Sequence, residues 1–423
     1  MVNILLIIVF VTGYLAIIME HKISVNKAAS ALVAGALVWT IFILYSPVKE
    51  MVTREIGEHM ADISGILFFL MGAMTIVELI DSHDGFDIIT QRISTRNKRK
   101  LIWIISLITF FLSALLDNLT TTIVMVSLTR KLIQEEKDRW FFAGIIIIAA
   151  NAGGAWSPMG DVSTTMLWIG QQITAINVIH KLFLPSLVCM LIPLIIATFM
   201  VKPGLAEPSV KIVTKKNNIY AFEKNLIFFS GMFALLLVPF LKAITHLPPF
   251  MAMLLSLGLM WGLTEIVHRR KHEEEKGAFS VVQALRKIDT STILFFLGIL
   301  LCISALQSSG ILITWAEYLM VQIPNQQVTI LIIGLLSAIV DNVPLVAAVQ
   351  GMYPLTHYPT DHFFWEFLTY ATGTGGSVLI IGSAAGVAAM GMERITFFWF
   401  LKRIAFLALL GYLAGAVVYI LMF

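Results

Sequence analysis

Two aspartates lie inside long apolar runs of the sequence, and an asparagine directly follows each of them. The pairs are Asp117-Asn118 and Asp341-Asn342. An ionised carboxylate at the middle of a bilayer costs about 3 kcal/mol or more, so it usually serves a function there. Carboxylate, amide and hydroxyl oxygens together suit a hard monovalent cation. The alternative is that each aspartate caps the helical segment that follows it, and the two roles can coexist.

A third aspartate follows a break that is rich in glycine. Residues 140–173 carry Gly153 and Gly154, which interrupt a helix and release carbonyl oxygens, and Asp161 begins the next half. Asp161 is therefore a second candidate for carrying a proton, although it can equally be a helix cap. The corresponding stretch is residues 363–391, where the glycine-rich break has hydroxyl groups and no carboxylate. The first half of the chain is thus the more acidic one at its breaks.

One pattern occurs twice along the chain. Ser-Ala-Leu-Leu-Asp-Asn begins at Ser113, and Ser-Ala-Ile-Val-Asp-Asn begins at Ser337, an offset of 224 residues. The Gly-Gly pair of the first break recurs at an offset of 222 residues. Two similar halves whose flanking charges differ are typical of the inverted-topology repeats of secondary transporters.

The composition indicates which environment surrounds these elements. The chain has 423 residues, of which 58% are hydrophobic and 13% are charged, against about 25% charged in a soluble domain. Charged residues are too few to cover the surface of a soluble enzyme or a nucleic-acid-binding protein. The hydrophobic content is also too high for a disordered chain. The apolar runs are continuous, unlike the ~10-residue alternating segments of a transmembrane β-barrel. We therefore expect an all-α polytopic membrane protein in a lipid bilayer.

The basic residues predict the orientation of the chain. Six stretches hold 25 of the 29 Lys and Arg. The positive-inside rule places these stretches on the cytoplasmic side of the plasma membrane. Residues 101–129 lie between two of them, so we expect a re-entrant helical hairpin that enters from the cytoplasm. Residues 327–353 have no Lys or Arg at their flanks, so their hairpin should enter from outside. Both termini are then expected outside.

The predicted organisation has four parts. They are N-terminal scaffold helices in 1–60, a first inverted repeat in 61–201, cytoplasmic loops with connecting scaffold helices in 202–289, and a second inverted repeat in 290–423. Each repeat is expected to contain one re-entrant hairpin, 101–129 or 327–353, and one discontinuous helix, 140–173 or 363–391. The two cysteines, Cys189 and Cys302, lie in apolar runs and are expected to be free thiols.

Four motifs carry a resemblance to a known family. They are Ser-Ala-Leu-Leu-Asp117-Asn118-Leu-Thr-Thr, Gly-Gly-Ala-Trp-Ser-Pro-Met-Gly-Asp161, Ser-Ala-Ile-Val-Asp341-Asn342-Val-Pro and Gly-Thr-Gly-Gly-Ser377. With them the chain resembles, over nearly its whole length, the NhaD-type sodium/proton antiporters of the ion transporter superfamily. The resemblance implies a homodimer with a fixed scaffold and a mobile transport domain. It also implies elevator-like alternating access.

Exchange of Na⁺ for H⁺ is the function that the resemblance implies, with Li⁺ as an open alternative cation. We expect Asp117 to be the principal cation ligand, because burial favours a protonated carboxyl and lets a proton compete with Na⁺. The predicted cation and proton site comprises Ser113, Asp117, Asn118, Thr120, Asn151, Gly153, Gly154, Asp161, Ser163, Ser337, Asp341, Asn342, Thr374 and Ser377. Na⁺ itself is expected at Asp117, Asn118, Asp341 and Asn342. We expect no enzymatic activity, no cofactor and no nucleic-acid partner.

Two alternatives stay open at this point. The nearer one is an anion carrier of the same fold, for a dicarboxylate or an arsenite-type oxyanion. Carboxylates at both hairpins, and a predicted cavity without Lys or Arg, disfavour it. The other is an intramembrane aspartyl protease, since aspartates lie within the membrane. The Gly-x-Gly-Asp pattern is absent around Asp161, which argues against this alternative.

Overall fold

The computed structural model describes residues 2–90, 95, 97–201, 204, 221–269, 279–323, 325–339 and 341–423. In these residues the regular secondary structure is helical throughout, without a β-strand. Eight of their helices are long and apolar enough to cross a bilayer. The expectation of an all-α polytopic membrane protein is therefore confirmed.

The helices are numbered in chain order. The first ten are α1 (Val2–Ile18), α2 (Glu20–Ile23), α3 (Lys27–Tyr45), α4 (Lys49–Ser82), α5 (Asp87–Thr90), α6 (Lys98–Leu116), α7 (Asn118–Leu132), α8 (Glu136–Ala155), α9 (Val162–Ile169) and α10 (Ala175–Met200). They are followed by α11 (Ala221–Thr245), α12 (Pro249–His268), α13 (Val281–Lys287), α14 (Thr290–Ser308), α15 (Ile311–Gln322), α16 (Gln326–Leu336), α17 (Asn342–Met352), α18 (Phe363–Gly375), α19 (Ala384–Glu393), α20 (Phe397–Arg403) and α21 (Ala405–Met422). Most of the loop residues expected in the cytoplasm within 202–289 lie outside the described residues.

The described helices form two packing groups. In the first group, α3 packs against α1 and α14, and α4 packs against α11, α12, α13 and α14. In the second group, α8 packs against α6, α7, α10, α18 and α19, and α10 packs against α21. This group also includes α16, which packs against α18, and α9 and α17, which contact each other and α18. The groups meet where α14 contacts α17, where α4 contacts α9 and where α11 contacts α6. The site residues expected from the sequence belong to the second group.

The two Asp-Asn pairs lie where the backbone turns between paired helices. Asp117 separates α6 from α7, and the second turn lies between Leu336 and Asn342. Asp117 has φ 120°, a conformation that costs about 1–3 kcal/mol and persists only when the surrounding structure holds it. Its carboxylate caps α7 by accepting a hydrogen bond from the Thr120 N–H at 2.7 Å. The helix interruptions expected at both pairs are therefore present.

Two more helices are interrupted at the glycine-rich stretches. Six residues separate α8 from α9, and eight residues separate α18 from α19. Gly153 packs directly on the Phe110 carbonyl of α6, and Gly375 packs on the Gly334 carbonyl of α16, so neither position has room for a Cβ. Each interrupted helix thus lies in close backbone contact with the helix that leads into a turn.

Helix α4 is longer than the sequence pattern predicts. It runs for 34 residues, so the boundary expected at residue 60, between scaffold and first repeat, falls inside it. No proline occurs between Lys49 and Ser82 to end the helix. Residues 49–60 are therefore the first part of a continuous helix of the first packing group.

Candidate functional site

Asp161 lies at the centre of a buried polar network. Its side chain is 2% exposed, and it stands in the break between α8 and α9. The Ser163 N–H and the Ser163 hydroxyl both donate to Asp161 Oδ1 at 2.9 Å. The carboxylate therefore caps α9, which is one of the two roles open to it from the sequence. These two contacts leave Oδ2 to groups from other parts of the chain.

Two asparagines from the separate turns converge on this carboxylate. Asn118 is the first residue of α7, and its Nδ2 donates to Asp161 Oδ2 at 2.9 Å. Asn342 is the first residue of α17, and its Nδ2 donates to Asp161 Oδ1 at 3.1 Å and to Oδ2 at 2.9 Å. Both asparagines are buried. Three residues that are far apart in the sequence thus form one site.

Asn151 of α8 extends the network to the second interrupted helix. Its Oδ1 accepts a hydrogen bond from Asn118 Nδ2 at 3.0 Å, and its Nδ2 donates to the hydroxyls of Ser377 and Ser383 at 2.9 Å each. Ser383 is not among the residues predicted for the site from the sequence. The signal that finds it is its offset of 222 residues from Asp161, which equals the offset between the two Gly-Gly pairs.

Asp117 and Asp341 lie outside this hydrogen-bond network. Asp117 is half-buried, and its two oxygens accept from the Thr120 N–H at 2.7 Å and the Thr120 hydroxyl at 2.9 Å. Asp341 is half-buried too and accepts from the Val343 N–H at 3.3 Å. Both aspartates therefore cap the helices that follow them. The structure brings their asparagine neighbours to Asp161, and not the two aspartates themselves.

Three of the hydroxyl groups expected as ligands bond to backbone carbonyls. Ser113 donates to the Ala150 carbonyl at 2.6 Å, and Ser337 donates to the Thr372 carbonyl at 3.2 Å. Thr374 donates to a carbonyl within its own helix at 2.6 Å. The two serines join each turn to an interrupted helix of the same half. They hold the backbone of the site in place, and neither bonds to the Asp161 carboxylate.

Comparison with known proteins relates the chain to membrane transporters. A family model described as a citrate transporter matches residues 14–373. Sodium/proton antiporter 1 of Arabidopsis thaliana is 46% identical over 413 residues, which cover 98% of this chain and 71% of that protein. Sodium/proton antiporter 2 of the same plant is 44% identical over 98% of both chains. The Na⁺/H⁺ antiporter NhaD of Vibrio cholerae is 30% identical over 98% of this chain and 91% of its own length.

The chain belongs to the NhaD-type sodium/proton antiporter family. In this family member, the network places one carboxylate among neutral polar groups. Among the hydrogen bonds of the described residues, those of Asp161, Asn118 and Asn342 involve no Lys or Arg. Each asparagine amide also has an oxygen atom. Rotation of the amide by about 180° would place this oxygen beside the carboxylate oxygens. Such a set of oxygens suits a hard cation.

The arrangement does not match an aspartyl protease. A protease of that class uses two carboxylates so close together that they share one proton. In the part of the chain that the structure describes, the hydrogen-bond donors to Asp161 are amides, a hydroxyl and a backbone N–H. The aspartates in the two turns each bond to the first residues of their own helix instead.

Two buried glutamates lie away from the network, and basic residues neutralise them. Lys181 Nζ is 2.9 Å from Glu366, a fully buried residue of α18. Glu393 ends α19 and contacts Arg130 and Arg139 at 2.5 and 2.9 Å. Removal of one partner of such a pair leaves a charge without compensation. The Lys181–Glu366 pair, and Glu393 with its two arginines, therefore neutralise buried charge within the second helix group.

Proposed function

We propose that this protein exchanges Na⁺ for H⁺ across the membrane, with Li⁺ as an open alternative cation. The observation that carries the proposal is the convergence of Asn118 and Asn342, from two separate turns, on the Asp161 carboxylate. The names of the relatives as sodium/proton antiporters support the same function.

One carboxylate serves both ions in this proposal. A buried carboxylate is stabilised by any partner that neutralises it, so protonated and Na⁺-bound Asp161 are the two low-energy forms. The proton and the cation exclude each other there, which couples their movements in opposite directions. Asn118 and Asn342 stabilise the ionised form between these events by donating hydrogen bonds to it. Asp117 and Asp341, next to these asparagines, are proposed as flanking carriers.

Two inverted repeats are part of the proposal, and paired contacts support them. Ser113 bonds to the Ala150 carbonyl as Ser337 bonds to the Thr372 carbonyl. Helix α7 packs against α19, and α17 packs against α9, so the second helix of each turn contacts the interrupted helix of the other half. We propose that each turn is the tip of a re-entrant hairpin, with helical backbone around a central cavity.

Elevator-like movement is a further part of the proposal, and the two packing groups support it. We propose that the first group is the scaffold and that the second group, which contains Asp161, is the mobile transport domain. The contacts of α14 with α17, of α4 with α9 and of α11 with α6 would then form the sliding surface. Homodimer assembly, a plasma-membrane location and external termini complete the proposal, on the basis of the resemblance and the distribution of basic residues.

An anion carrier is the second candidate function, because the matching family model is described as a citrate transporter. An anionic substrate needs positive charge or several N–H donors that are directed into its site. The donors of the network instead bond to the negative charge of Asp161. An anion at this position would be repelled, so the geometry favours the cation.

The experiment measures Na⁺-dependent dissipation of a pH gradient with a fluorescent dye in everted membrane vesicles. We expect Asp161→Asn to abolish the signal and Asp117→Asn, which keeps its cap, to reduce it less. Asp289→Asn is the matched control, because Asp289 caps α14 by accepting from the Thr292 N–H at 3.1 Å and is exposed. Full exchange by Asp161→Asn would contradict the site. Uptake of labelled citrate or succinate by the wild type, without Na⁺-dependent proton movement, would instead support the anion carrier.

A further inference from the structure

A cavity of about 150 Å³ lies between the two packing groups. The first group lines it with Tyr14 of α1, Glu20 of α2, Lys27 of α3 and Phe295 of α14. The second group lines it with Asp341 at the second turn and Ser383 at the start of α19, together with apolar neighbours. Ionisable side chains of both signs therefore share one cavity, so the expectation of a cavity without Lys or Arg is wrong for this cavity.

The lining of this cavity is suited to water. Glu20, Lys27 and Asp341 are all half-buried. Ionisable groups within a membrane protein are tolerated where they face a water-filled space or one another. A cavity of this volume has room for several water molecules. The cavity thus extends from the half-buried Lys27 to residues of the second group.

The inner end of the cavity reaches the polar network. The Ser383 hydroxyl lines the cavity and accepts a hydrogen bond from Asn151 Nδ2 at 2.9 Å. Asn151 in turn bonds to Asn118, which bonds to Asp161. Three hydrogen-bonded side chains, Ser383, Asn151 and Asn118, therefore separate the cavity from the Asp161 carboxylate. Asp341 lines the same cavity.

Lys27 is held at this entrance by its own contacts. It is the first residue of α3, and its Nζ lies 4.7 Å from the centroid of the Phe295 ring, a cation–π contact that favours one position of the ammonium group. Glu20 Oε1 accepts a hydrogen bond from the Lys27 backbone N–H at 3.1 Å, so this carboxylate is engaged by the start of the helix. A fixed positive charge therefore stands in the path of a cation.

We propose that this cavity is the water-filled entrance to the ion site from the Lys27 side of the membrane, and that Lys27 controls cation entry through its charge. The basic residues predict that this side is the cytoplasm. Lys27 acts as a positioning residue here, because it lowers the local cation concentration beside Asp341 without contacting Asp161. The inference rests on the proposed function only in treating Asp161 as the ion site.

The first experiment does not depend on transport. Ile381→Cys introduces a thiol on the cavity wall, whereas the native Cys189 and Cys302 are buried. Everted vesicles are treated with cationic and anionic methanethiosulfonate reagents of similar size, and the two labelling rates are compared. We expect both reagents to label the thiol. Lys27→Gln should raise the cation-to-anion rate ratio about fivefold, because removing one charge at roughly 8 Å from the thiol in water favours the cationic reagent and disfavours the anionic one. Lys27→Arg should restore the original ratio.

The matched control is Lys100→Gln, because Lys100 is exposed and does not line the cavity. Its ratio should equal that of the parent protein. If the thiol at position 381 is labelled in a detergent-solubilised sample but not in vesicles, the proposed entrance is overturned. An unchanged ratio in Lys27→Gln would overturn the role of the lysine.

A transport measurement separates this inference from the proposed function. In everted vesicles we expect Lys27→Gln to lower the KM for Na⁺ about two- to threefold with little change in the maximal rate, since the charge acts on entry. A lowered maximal rate with an unchanged KM would contradict the role of Lys27. Wild-type vesicles without any Na⁺-dependent proton movement would contradict the proposed function, while the labelling ratio still decides whether the entrance and its charge exist.

Discussion

Replacing Asn342 by alanine tests whether the two turns act on one carboxylate. In the structure the Asn342 amide donates to both oxygens of Asp161, at 3.1 and 2.9 Å. Alanine removes this donor and leaves the break before α17, because Asp341 still caps that helix through the Val343 N–H. The change thus removes a group from the site while the helix start stays in place.

The size of the effect can be worked out from the remaining contacts. A hydrogen bond to a charged group contributes about 1.5–3 kcal/mol. Asp161 keeps its contacts with the Ser163 N–H, the Ser163 hydroxyl and Asn118, so the lower figure applies. A loss of about 1.5 kcal/mol in the ionised form corresponds to roughly a tenfold change in an equilibrium constant. We therefore expect the KM for Na⁺ to rise about tenfold, because the proton competes better for the carboxylate.

The assay is Na⁺-dependent dissipation of a pH gradient in everted vesicles, with the protein level measured in the same membranes. The rise in KM should be largest at acidic pH and should shrink as the pH increases, since fewer protons then compete. Asn325→Ala is the matched control in the same half of the chain. Asn325 caps α16 through the N–H groups of Gln327 and Val328, so its loss lowers stability by about 1 kcal/mol and leaves the KM unchanged.

One result would refute the reasoning about Asn342. If Asn342→Ala reached the membrane at the wild-type level and its KM for Na⁺ stayed within about twofold of wild type at acidic pH, its hydrogen bonds to Asp161 would have no role in ion binding. The convergence of the two turns would then be a packing feature of the fold.

Two further predictions concern stability. Gly375→Ala places a Cβ against the Gly334 carbonyl, so we expect much less folded protein in the membrane. The control is Gly391→Ala, which has nothing within 4 Å of its Cβ and should resemble wild type. Equal yields of the two variants would contradict the close contact. His362 precedes α18, and burial, together with His357 and Lys181, lowers the pKa of its imidazole. Its neutral Nδ1 accepts from the Phe364 N–H at 3.1 Å, so this cap is intact above about pH 6.5 and is lost as the pH falls through the lowered pKa. The Tm of detergent-solubilised protein should fall less on acidification in His362→Asn than in wild type, and an equal fall would contradict the prediction.

The helix interruptions could be predicted because their causes are local. Gly153 and Gly154 weaken a helix wherever they stand, and an Asp-Asn pair favours a helix start after a turn. The structure interrupts the backbone at these stretches and at both Asp-Asn pairs. The start of α4 does not follow from a local signal, since residues 49–60 are polar enough for a loop and contain no residue that prevents a helix.

The roles of the three aspartates could not be ranked from the sequence. Each precedes a helical segment, and in the structure each caps one, through Thr120, Ser163 or Val343. The repeat and the expected burial in an apolar run favour Asp117 from the sequence. The structure instead brings the asparagines of both turns to Asp161.

The sequence by itself determined the environment and the building elements of this protein. A chain with 13% charged residues must bury its surface in lipid, and glycine or Asp-Asn breaks act on the backbone next to them. Only the tertiary structure decided which carboxylate stands at the centre. Hydrogen bonds between residues 118, 161 and 342 depend on how α7, α9 and α17 pack together. That packing is a property of the whole fold, which no local pattern specifies.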